Sequence, residues 1–551
     1  MPARQGLATT SFEEGKMDVA RRLLFGVTFC MVVPLASHAT DPLVVKTDKG
    51  KVRGALAAAG QTRAFKGIPF AAPPVGLLRW QPPQPAASWK GIRDATQFGV
   101  HCIQSGGADA HVFRDPGASE DCLTLDVWAP ADAKQRNLPV IVWIYGGGFR
   151  AGGTSEPRQD GEYLAAHRGV IVVAMNYRLG IFGFFVHPEL VAESPHHAAG
   201  NYGLMDQNAA LEWVQKNIAN FGGDPRNVTI MGQSAGSLSV SALMASPLSK
   251  GNFAKAIGQS GAEFGTFVTK PLTELLERDT KFAQAAFGSS KLADLRKISA
   301  EDLVEQTLAY DKQSHSPVSF WPDVDGWFLP ESVPQIYAEG KQAHVPLLAG
   351  WTADEQRGSV ILAKSQPTAA SFKEKARAEF GSDTEEFLKL YPANDDGEAL
   401  RSAGDLTDDR FIGYSTWCWL EEQVANGQAP VYRYRFDLGS PGDKHHLAIV
   451  GAFHSDDIDY AFGMLDAREG AAWRPEDRKL SNEMVEYFTN FARTGNPNGD
   501  GLPNWPAYSA SDGWQVMYLN VTLEVKPDSQ RARYQFLDKA WGRNGTHAPD
   551  H

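Results

Sequence analysis

The feature that most constrains the fold is an apolar strand pattern that runs into a glycine-flanked serine and then into a helix pattern. Residues 227–231 read NVTIM, residues 232–236 read GQSAG, and residues 235–246 read AGSLSVSALMAS ahead of Pro247. In a G-x-S-x-G turn the glycines avoid side-chain clashes, and the serine hydroxyl stands clear of the sheet. The pattern predicts a strand, a tight turn and a helix, with Ser234 as a nucleophile. The alternative is a close-packed strand-to-helix crossover without chemistry.

Other runs of the chain have the composition of strands that are covered on both faces. Residues 140–145 read VIVWIY and residues 169–177 read GVIVVAMNY, and both runs are apolar and rich in β-branched side chains. Residues 344–350 (HVPLLAG) and 431–436 (VYRYRF) are further candidates. Because helix patterns separate these runs, we expect the strands to form a mostly parallel sheet.

A helix ahead of the serine turn is predicted by apolar residues at helical spacing. Its start is expected at Asp206, a good N-cap residue, and its end at Gly222 and Gly223. A second long helix is predicted over about residues 476–493. The spaced apolar residues of the first helix are Leu211, Val214, Ile218 and Phe221.

The fold class that these patterns indicate is α/β, with a mostly parallel central sheet flanked by helices. Residues 270–313 are charged and helical in pattern, and no Pro/Gly/Ser-rich linker brackets them. We therefore expect a single domain over residues 40–551, with helical insertions over the active site.

The first 39 residues have the features of a secretory signal. An Arg-Arg pair at residues 21–22 precedes an apolar run at residues 23–35, and residues 37–39 (SHA) are suited to cleavage. Met17 is an alternative start of translation, since the residues before it are polar and add nothing to a signal. We predict export to the periplasm or the outside of the cell, with residues 1–39 as the signal peptide.

Charge and hydropathy narrow the classes of partner. The net charge is −12 and the chain has no Lys/Arg-rich run, which argues against a nucleic-acid partner. Beyond the signal, no apolar stretch approaches about 18 residues, so no stable membrane insertion is expected. A small-molecule ligand is the expected partner, and the oligomeric state is left open.

Three cysteines follow the signal. Cys102 and Cys122 lie 20 residues apart around a polar segment, and export makes a disulfide between them the favoured state. Two unpaired core cysteines are the alternative. Cys418, between two tryptophans, is expected to be a buried free thiol.

A serine hydroxyl is too weakly acidic to attack unaided, so it needs a histidine base that a carboxylate orients. On sheets of this class the chain order is serine, acid, histidine. Asp354 and Glu355 follow one predicted strand, and His454 lies on a loop after the next. We favour Glu355 and His454 as the partners of Ser234. A solvated acid and a structural histidine are the alternatives.

Other histidines nearby suggest a competing site. His445 and His446 are closer to the preceding strand than His454 is, and the three together would suit a metal. However, no Cys, Asp or Glu completes a plausible zinc spacing. We therefore predict no metal and no cofactor.

An acyl-transfer site also needs donors for the developing oxyanion, and backbone N–H groups of a glycine-rich loop can supply them. Gly147 and Gly148 follow a predicted strand, and the N–H of Ala235 begins the helix after Ser234. A dinucleotide fingerprint is the alternative, because Gly146, Gly148 and Ala151 satisfy G-x-G-x-x-A. No helix pattern follows it, so we favour the oxyanion hole.

Long motifs in this order resemble the type-B carboxylesterase family, the α/β-hydrolases that include carboxylesterases and cholinesterases. The resemblance covers nearly the whole chain after the signal and implies the α/β-hydrolase fold and a carboxylic-ester hydrolase. The motifs include FKGIPFAAPPVGLLRW (65–80), SEDCLTLDVWAP (119–130), WIYGGGF (143–149), NYRLGIFGF (176–184), DGWFLP (325–330), GAFHSDDIDYAFG (451–463) and FARTGNPN (491–498).

The resemblance implies the same catalytic positions as the chemistry does. Asp354 is the less favoured acid, because the family motif uses the second carboxylate. A disulfide between Cys102 and Cys122 is also implied, and so is an ion pair between Arg79 and Glu120. The implied positions are Ser234 as nucleophile, Glu355 as acid, His454 as base, and Gly147, Gly148 and Ala235 as oxyanion donors.

Two departures from the family pattern bear on the site. Gln233 stands where many members have Glu, which removes a negative charge beside the nucleophile, and Gln356 replaces the usual Gly after the acid. Arg150 lies two residues beyond the oxyanion glycines. Together, Gln233 and Arg150 suggest substrate-binding residues for an ester with extra carboxylates, as in fumonisin-type mycotoxins. The alternative is that Arg150 faces solvent or pairs with an acid.

The function that these observations predict is ester hydrolysis through an acyl-enzyme on Ser234. A non-catalytic, cholinesterase-like binding protein is the alternative from another class. Such proteins lack the nucleophile, whereas all three triad positions are filled here.

Overall fold

The computed structural model describes residues 41–105, 112–315, 318–442 and 451–543. The predicted signal at residues 1–39 and the candidate ligands His445 and His446 lie outside these ranges. The strands are β1 (Val44–Lys46), β2 (Lys51–Arg53), β3 (Ala55–Ala57), β4 (Thr62–Pro69), β5 (Ile92–Asp94), β6 (His101–Cys102), β7 (Ala118–Ser119), β8 (Thr124–Pro130), β9 (Leu138–Ile144), β10 (Ile171–Met175), β11 (Gly223–Gln233), β12 (Lys255–Gln259), β13 (Lys270–Pro271), β14 (Asp323–Val324), β15 (Leu347–Thr352), β16 (Val431–Phe436), β17 (Gln515–Leu519) and β18 (Glu524–Pro527).

Helices lie between most of these strands. They are α1 (Glu162–Arg168), α2 (Gly180–Phe184), α3 (Pro188–Glu193), α4 (Tyr202–Phe221), α5 (Ala235–Ala245), α6 (Leu272–Phe287), α7 (Leu292–Leu295), α8 (Ala300–Ser314), α9 (Val333–Ala338), α10 (Arg357–Ile361), α11 (Ala369–Phe380), α12 (Thr384–Leu390), α13 (Asp396–Asp408), α14 (Tyr414–Asn426), α15 (Asp457–Phe462), α16 (Pro475–Thr494) and α17 (Arg531–Trp541). A π-helical turn, Asp409–Gly413, joins α13 to α14. Among the described helices, none combines the length and the apolar character that crossing a membrane requires.

Eleven of the described strands form one mixed sheet, in the order β18-β17-β16-β15-β12-β11-β9-β10-β8-β4-β3. Every pairing from β17 to β10 is parallel, and the pairings at both edges are antiparallel. The predicted α/β class with a mostly parallel sheet is confirmed. The carboxyl ends of the parallel strands, where such sheets place functional groups, therefore lie along one edge.

The sheet is buried on both faces, as its apolar strands predict. Along β9, Val140, Val142 and Ile144 belong to one hydrophobic cluster, while Ile141 and Trp143 belong to the other. Alternate side chains of a strand point to opposite faces, so the two clusters cover the two faces of the sheet. This burial explains why β9 reads as a continuous apolar run.

The predicted start of α4 is wrong by five residues, because the N-cap is Asn201 and not Asp206. The helix runs over Tyr202–Phe221, and Gly222, which has a left-handed conformation with φ of 108°, caps it as predicted. Asp206 lies inside the helix and is fully buried, where it accepts 2.7 Å hydrogen bonds from Nε and Nη2 of Arg178. Asp206 therefore does not cap the helix, because it forms this buried ion pair in the core.

The charged stretch before the later strands is helical, as predicted. It contains α6, α7 and α8, and Lys270, Leu275 and Arg278 line the cavity above the central strands. Pro42 and the described residues after it form one compact unit.

The predicted disulfide is present between Cys102 and Cys122, and Cys418 is buried and free. The ion pair that was implied beside this loop is present too, with Arg79 Nη2 2.6 Å from Glu120 Oε2.

Replacing both bonded cysteines by serine is expected to lower the free energy of unfolding by about 3 kcal/mol, because the bond closes a loop of 20 residues. Urea unfolding of the wild type and of Cys102→Ser/Cys122→Ser measures this difference. Either single variant should lose as much as the double variant. A double variant as stable as the wild type would contradict the prediction.

Asp126 makes the stability depend on pH. This residue of β8 is fully buried, and burial raises the pKa of its carboxyl to about 6, although Gly67 N–H donates to it at 2.8 Å. Because the unfolded carboxyl titrates near 3.8, the folded protein binds more protons between about pH 4 and pH 6. The contribution of Asp126 to stability therefore falls as the pH rises through that window.

Asp126→Asn is expected to remove this dependence. The variant should match the wild type near pH 4 and exceed its free energy of unfolding by about 3 kcal/mol at pH 7. Urea unfolding at the two pH values measures the effect. A difference between the two proteins that does not change with pH would contradict it.

Candidate active site

Ser234 lies in the tight turn between β11 and α5, as the glycine pattern predicts. Its backbone has φ of 55° and ψ of −126°, a region that non-glycine residues rarely occupy and one often found at functional sites. A Cβ added to Gly232 would overlap the backbone of Gly236, and one added to Gly236 would overlap the carbonyl oxygen of Ile144. Gly232 is therefore required by the tightness of the turn, and Gly236 by the close approach of the turn to β9.

The structure brings the three predicted partners into one chain of hydrogen bonds. Nε2 of His454 lies 2.9 Å from Oγ of Ser234, and Nδ1 of His454 lies 2.5 Å from Oε2 of Glu355. Glu355 follows β15 and His454 lies on a loop that follows β16, so both reach the edge where β11 ends. The arrangement allows the imidazole to accept a proton from the hydroxyl while the carboxylate stabilises the resulting cation.

The carboxylate of Glu355 is buried and fully oriented. Its side chain has no exposed surface, and its Oε1 accepts hydrogen bonds from Ser260 Oγ at 2.6 Å and from Thr352 N–H at 2.8 Å. Ser260 follows β12, the strand between β11 and β15. The hydroxyl and the amide leave Oε2 directed at the imidazole.

Ser260 was missed from the sequence, although a signal for it exists. Residues 258–260 repeat the Gly-Gln-Ser of residues 232–234, and the two glycines and two glutamines pair across β11 and β12. Both serines have φ of 55°. The two serines thus follow adjacent strands with the same φ, Ser234 in the lining of the cavity and Ser260 against the carboxylate of Glu355.

The three predicted oxyanion donors lie around Ser234. Gly147, Gly148 and Ala235 line the same cavity as the serine. Within the described residues, no acceptor receives a hydrogen bond from any of their backbone N–H groups. Ala235 is the first residue of α5, where the helix dipole adds positive potential. These amides are free to bind an oxygen that gains negative charge.

Gln356 does not distort the acid loop. Its φ is −135°, so the position does not require the glycine that is usual in the family, and its N–H donates to Oδ1 of Asp408 at 2.7 Å. Burial raises the pKa of Asp408 to about 7.

Asp354, the alternative acid, contacts the backbone of Ala452 rather than His454.

The site opens into a cavity of about 870 Å³, large enough for a substrate well beyond a simple acetate. Part of its wall is aromatic. Trp321 stacks on Phe267 and meets Phe149 edge-on, and Phe411 of the π-helical turn meets the ring of His454 edge-on at 5.0 Å. Phe149 belongs to the motif at residues 143–149, whereas Phe267, Trp321 and Phe411 have no signal in the sequence because they come from segments distant from the serine turn.

The charged lining of the cavity is mostly positive. Among the described lining residues, Arg150, Arg158, Lys270 and Arg278 are cationic and Glu156 is anionic. Sequence reasoning named Arg150 alone: Arg158, eight residues further along the same loop, carries no motif, and Lys270 and Arg278 come from a distant segment.

The two tentative substrate-binding residues both line the cavity. Gln233 is buried, and its Nε2 lies 3.3 Å from Nε2 of His454. Arg150 is 39% exposed, and within the described residues its guanidinium donates no hydrogen bond. Its nearest carboxylate oxygen, Oδ2 of Asp311, is 3.9 Å away, so the ion pair is loose.

Comparison with known proteins agrees with this geometry. A sequence profile of the carboxylesterase family matches residues 41–537. The chain belongs to the carboxylesterase family. It is 36% identical to the para-nitrobenzyl esterase of Bacillus subtilis (strain 168), over 90% of this chain and 99% of that protein, and 35% identical to the fumonisin B1 esterase of Sphingopyxis macrogoltabida, over 91% of each. A solved PNB esterase structure, 34% identical, aligns with a TM-score of 0.77 over 90% of this chain and 99% of its own.

This carboxylesterase is therefore a serine hydrolase of carboxylic esters, and its substrates are small-molecule esters. Liver carboxylesterase 1 of Oryctolagus cuniculus, 35% identical over 92% of this chain and 94% of its own, is a further relative. The predicted family, fold and enzyme class are confirmed.

Proposed function

We propose that Ser234 is the nucleophile of this carboxylesterase, His454 its base and Glu355 the acid that orients the base. The observation that carries the proposal is the continuous chain of contacts from Ser234 Oγ through His454 to Glu355, at 2.9 and 2.5 Å. The three groups come from the ends of three strands, and each presents to its neighbour the atom that proton transfer requires: Ser234 Oγ faces His454 Nε2, and His454 Nδ1 faces Glu355 Oε2.

In the first half-reaction, His454 Nε2 takes the proton of Ser234 as Oγ bonds to the acyl carbon. The N–H groups of Gly147, Gly148 and Ala235 stabilise the oxyanion of the tetrahedral intermediate. The bond to the alcohol then breaks, and His454 returns the proton to the leaving oxygen. In the second half-reaction His454 deprotonates water, which attacks the acyl-enzyme and releases the acid.

The test is hydrolysis of a series of p-nitrophenyl esters, from acetate to longer acyl groups, by the full chain. We expect turnover. We also expect a sulfonyl fluoride to label the protein covalently, with a labelled fraction equal to the fraction of activity lost. A folded protein without activity on any ester would contradict the proposal and favour the binding-protein alternative.

A second candidate concerns the substrate: an ester that carries further carboxylates, as in fumonisin-type mycotoxins. It is favoured by the cavity lining, where Arg150, Arg158, Lys270 and Arg278 outnumber the single acid Glu156. Arg158, Lys270 and Arg278 already pair with Asp459, Glu274 and Asp279, so Arg150 is the cation on which the proposal rests. Arg150 has the unused donors that a carboxylate accepts in a bidentate pair. A relative at 35% identity is named fumonisin B1 esterase. Gln233 leaves the position beside Ser234 uncharged, so no carboxylate repels the substrate there.

Arg150→Ala is expected to raise KM for p-nitrophenyl hydrogen glutarate by about 10-fold or more, since a charged hydrogen bond contributes about 1.5–3 kcal/mol. KM for p-nitrophenyl valerate, which has the same chain length and no charge, should change less than about twofold. Arg226→Ala, which removes a cation that is 85% exposed and pairs with Asp224, is the matched control. Equal effects of Arg150→Ala on both esters would contradict the candidate.

Export is also proposed for this chain. The apolar segment after Arg21 and Arg22 supports it, and so does the Cys102–Cys122 disulfide, since such bonds persist in oxidising compartments. Cell fractionation with N-terminal sequencing of the purified protein tests it. An intact N-terminus in the cytosolic fraction would contradict the proposal.

A further inference from the structure

The acid and the base of the proposed triad come from separate loops, and their 2.5 Å contact requires those loops to be held in register. Two hydrogen bonds join the loops directly. Asp354 N–H donates to the carbonyl oxygen of Ala452 at 3.0 Å, and Ala452 N–H donates to Oδ2 of Asp354 at 3.1 Å. Asp354 immediately precedes Glu355, and Ala452 lies two residues before His454.

The carboxylate of Asp354 is itself fixed from the other side. Arg357 Nε lies 2.9 Å from Oδ1 of Asp354, and the same guanidinium contacts Asp405 and Asp408 of α13. Each oxygen of Asp354 therefore has its own partner: Oδ2 accepts from Ala452 on the loop of the base, and Oδ1 contacts Arg357, which is itself paired with α13.

The backbone of the histidine loop is shaped to receive this carboxylate. Gly451 has φ of 63°, and a Cβ added there would overlap Oδ2 of Asp354. Asp354 can thus approach the loop because glycine has no Cβ at position 451, and the hydrogen bond with Ala452 then holds it there.

We infer that Asp354 is the positioning residue of the His454–Glu355 pair. Asp354 touches neither substrate nor reacting atoms. It fixes the distance between the two loops at a point one residue before Glu355 and two residues before His454. This inference rests on the proposed roles of His454 and Glu355. A displacement of about 1 Å in such a pair is enough to lower the rate about 100-fold.

Asp354→Ala removes the acceptor for Ala452 N–H, and we expect it to lower kcat for p-nitrophenyl butyrate by about 100-fold with KM within about twofold of the wild type. The acid limb of the pH profile of kcat/KM should move to lower pH, because a displaced Glu355 stabilises the imidazolium less. Asp354→Asn keeps an oxygen for Ala452 N–H and should retain at least about a third of the wild-type kcat.

Asp405→Ala is the matched control. It removes a carboxylate from Arg357 without touching the histidine loop, so kcat and the pH profile should stay near those of the wild type. Wild-type kcat in Asp354→Ala, no recovery in Asp354→Asn, or an equal loss in Asp405→Ala would each overturn the inference.

Gly451→Ala keeps the test decisive if Asp354→Ala fails to fold. The added methyl group displaces the Asp354 carboxylate, and we expect the same fall in kcat and the same movement of the acid limb. An unchanged profile in folded Gly451→Ala would overturn the inference. The wild type and Ser234→Ala are assayed alongside: an inactive wild type contradicts the proposed function, whereas an active wild type with unaffected variants contradicts the role of Asp354 alone.

Discussion

Ser234→Ala is expected to lower kcat for p-nitrophenyl acetate by at least about 10⁴-fold. The variant removes the atom that bonds to the acyl carbon, so no acyl-enzyme can form. The oxyanion donors and the cavity remain, and these account for the small residual rate over water.

The fold should tolerate this change. The Ser234 hydroxyl contacts His454 in the cavity, and the close packing of the turn comes from Gly232 and Gly236. We therefore expect a thermal unfolding midpoint within a few degrees of that of the wild type. A folded Ser234→Ala variant with wild-type turnover would contradict the assignment of the nucleophile.

Glu355→Gln is expected to lower kcat by about 10⁴-fold. Glutamine has the same side-chain length as glutamate, so the side chain still reaches His454. A glutamine amide that donates to Nδ1 of His454 forces the proton onto Nε2, and a protonated Nε2 cannot accept the proton of Ser234. The neutral amide also fails to stabilise the imidazolium that forms in the reaction.

The control for Glu355→Gln is Asp408→Asn, a neighbouring acid that reaches the loop through Gln356 N–H and not through His454. It should retain most of the wild-type kcat at pH 8. Equal loss in both variants would show that Glu355 acts only through the loop structure, which would contradict its role as the triad acid.

Local patterns predicted the parts of this site that depend on local structure. The strand, turn and helix around Ser234 follow from residues 227–246, since the glycine spacing and the change from strand to helix pattern lie in one segment. Glu355 and His454 were found by chain order and by their positions after strands. The family resemblance agreed with the chemistry at every one of these positions.

What the sequence did not reveal depends on contacts between distant segments. Asp206 was read as a helix cap because no local feature shows that Arg178 would meet it in the core. Ser260 reaches Glu355 only because β12 lies beside β15 in the sheet. Arg158 and Arg278 enter the cavity from segments more than 100 residues apart, so their shared position requires the folded chain.

The central claim, that ester cleavage passes through an acyl group on Ser234, is tested most directly by trapping that group. The full chain is mixed with excess p-nitrophenyl ester of a slowly hydrolysed acyl group, quenched in acid, digested and analysed by mass spectrometry. We predict an acyl adduct on the peptide that contains Ser234, at a stoichiometry matching the burst of nitrophenol, and its absence in Ser234→Ala. Turnover without an adduct under burst conditions, or an adduct on a different residue, would contradict the account.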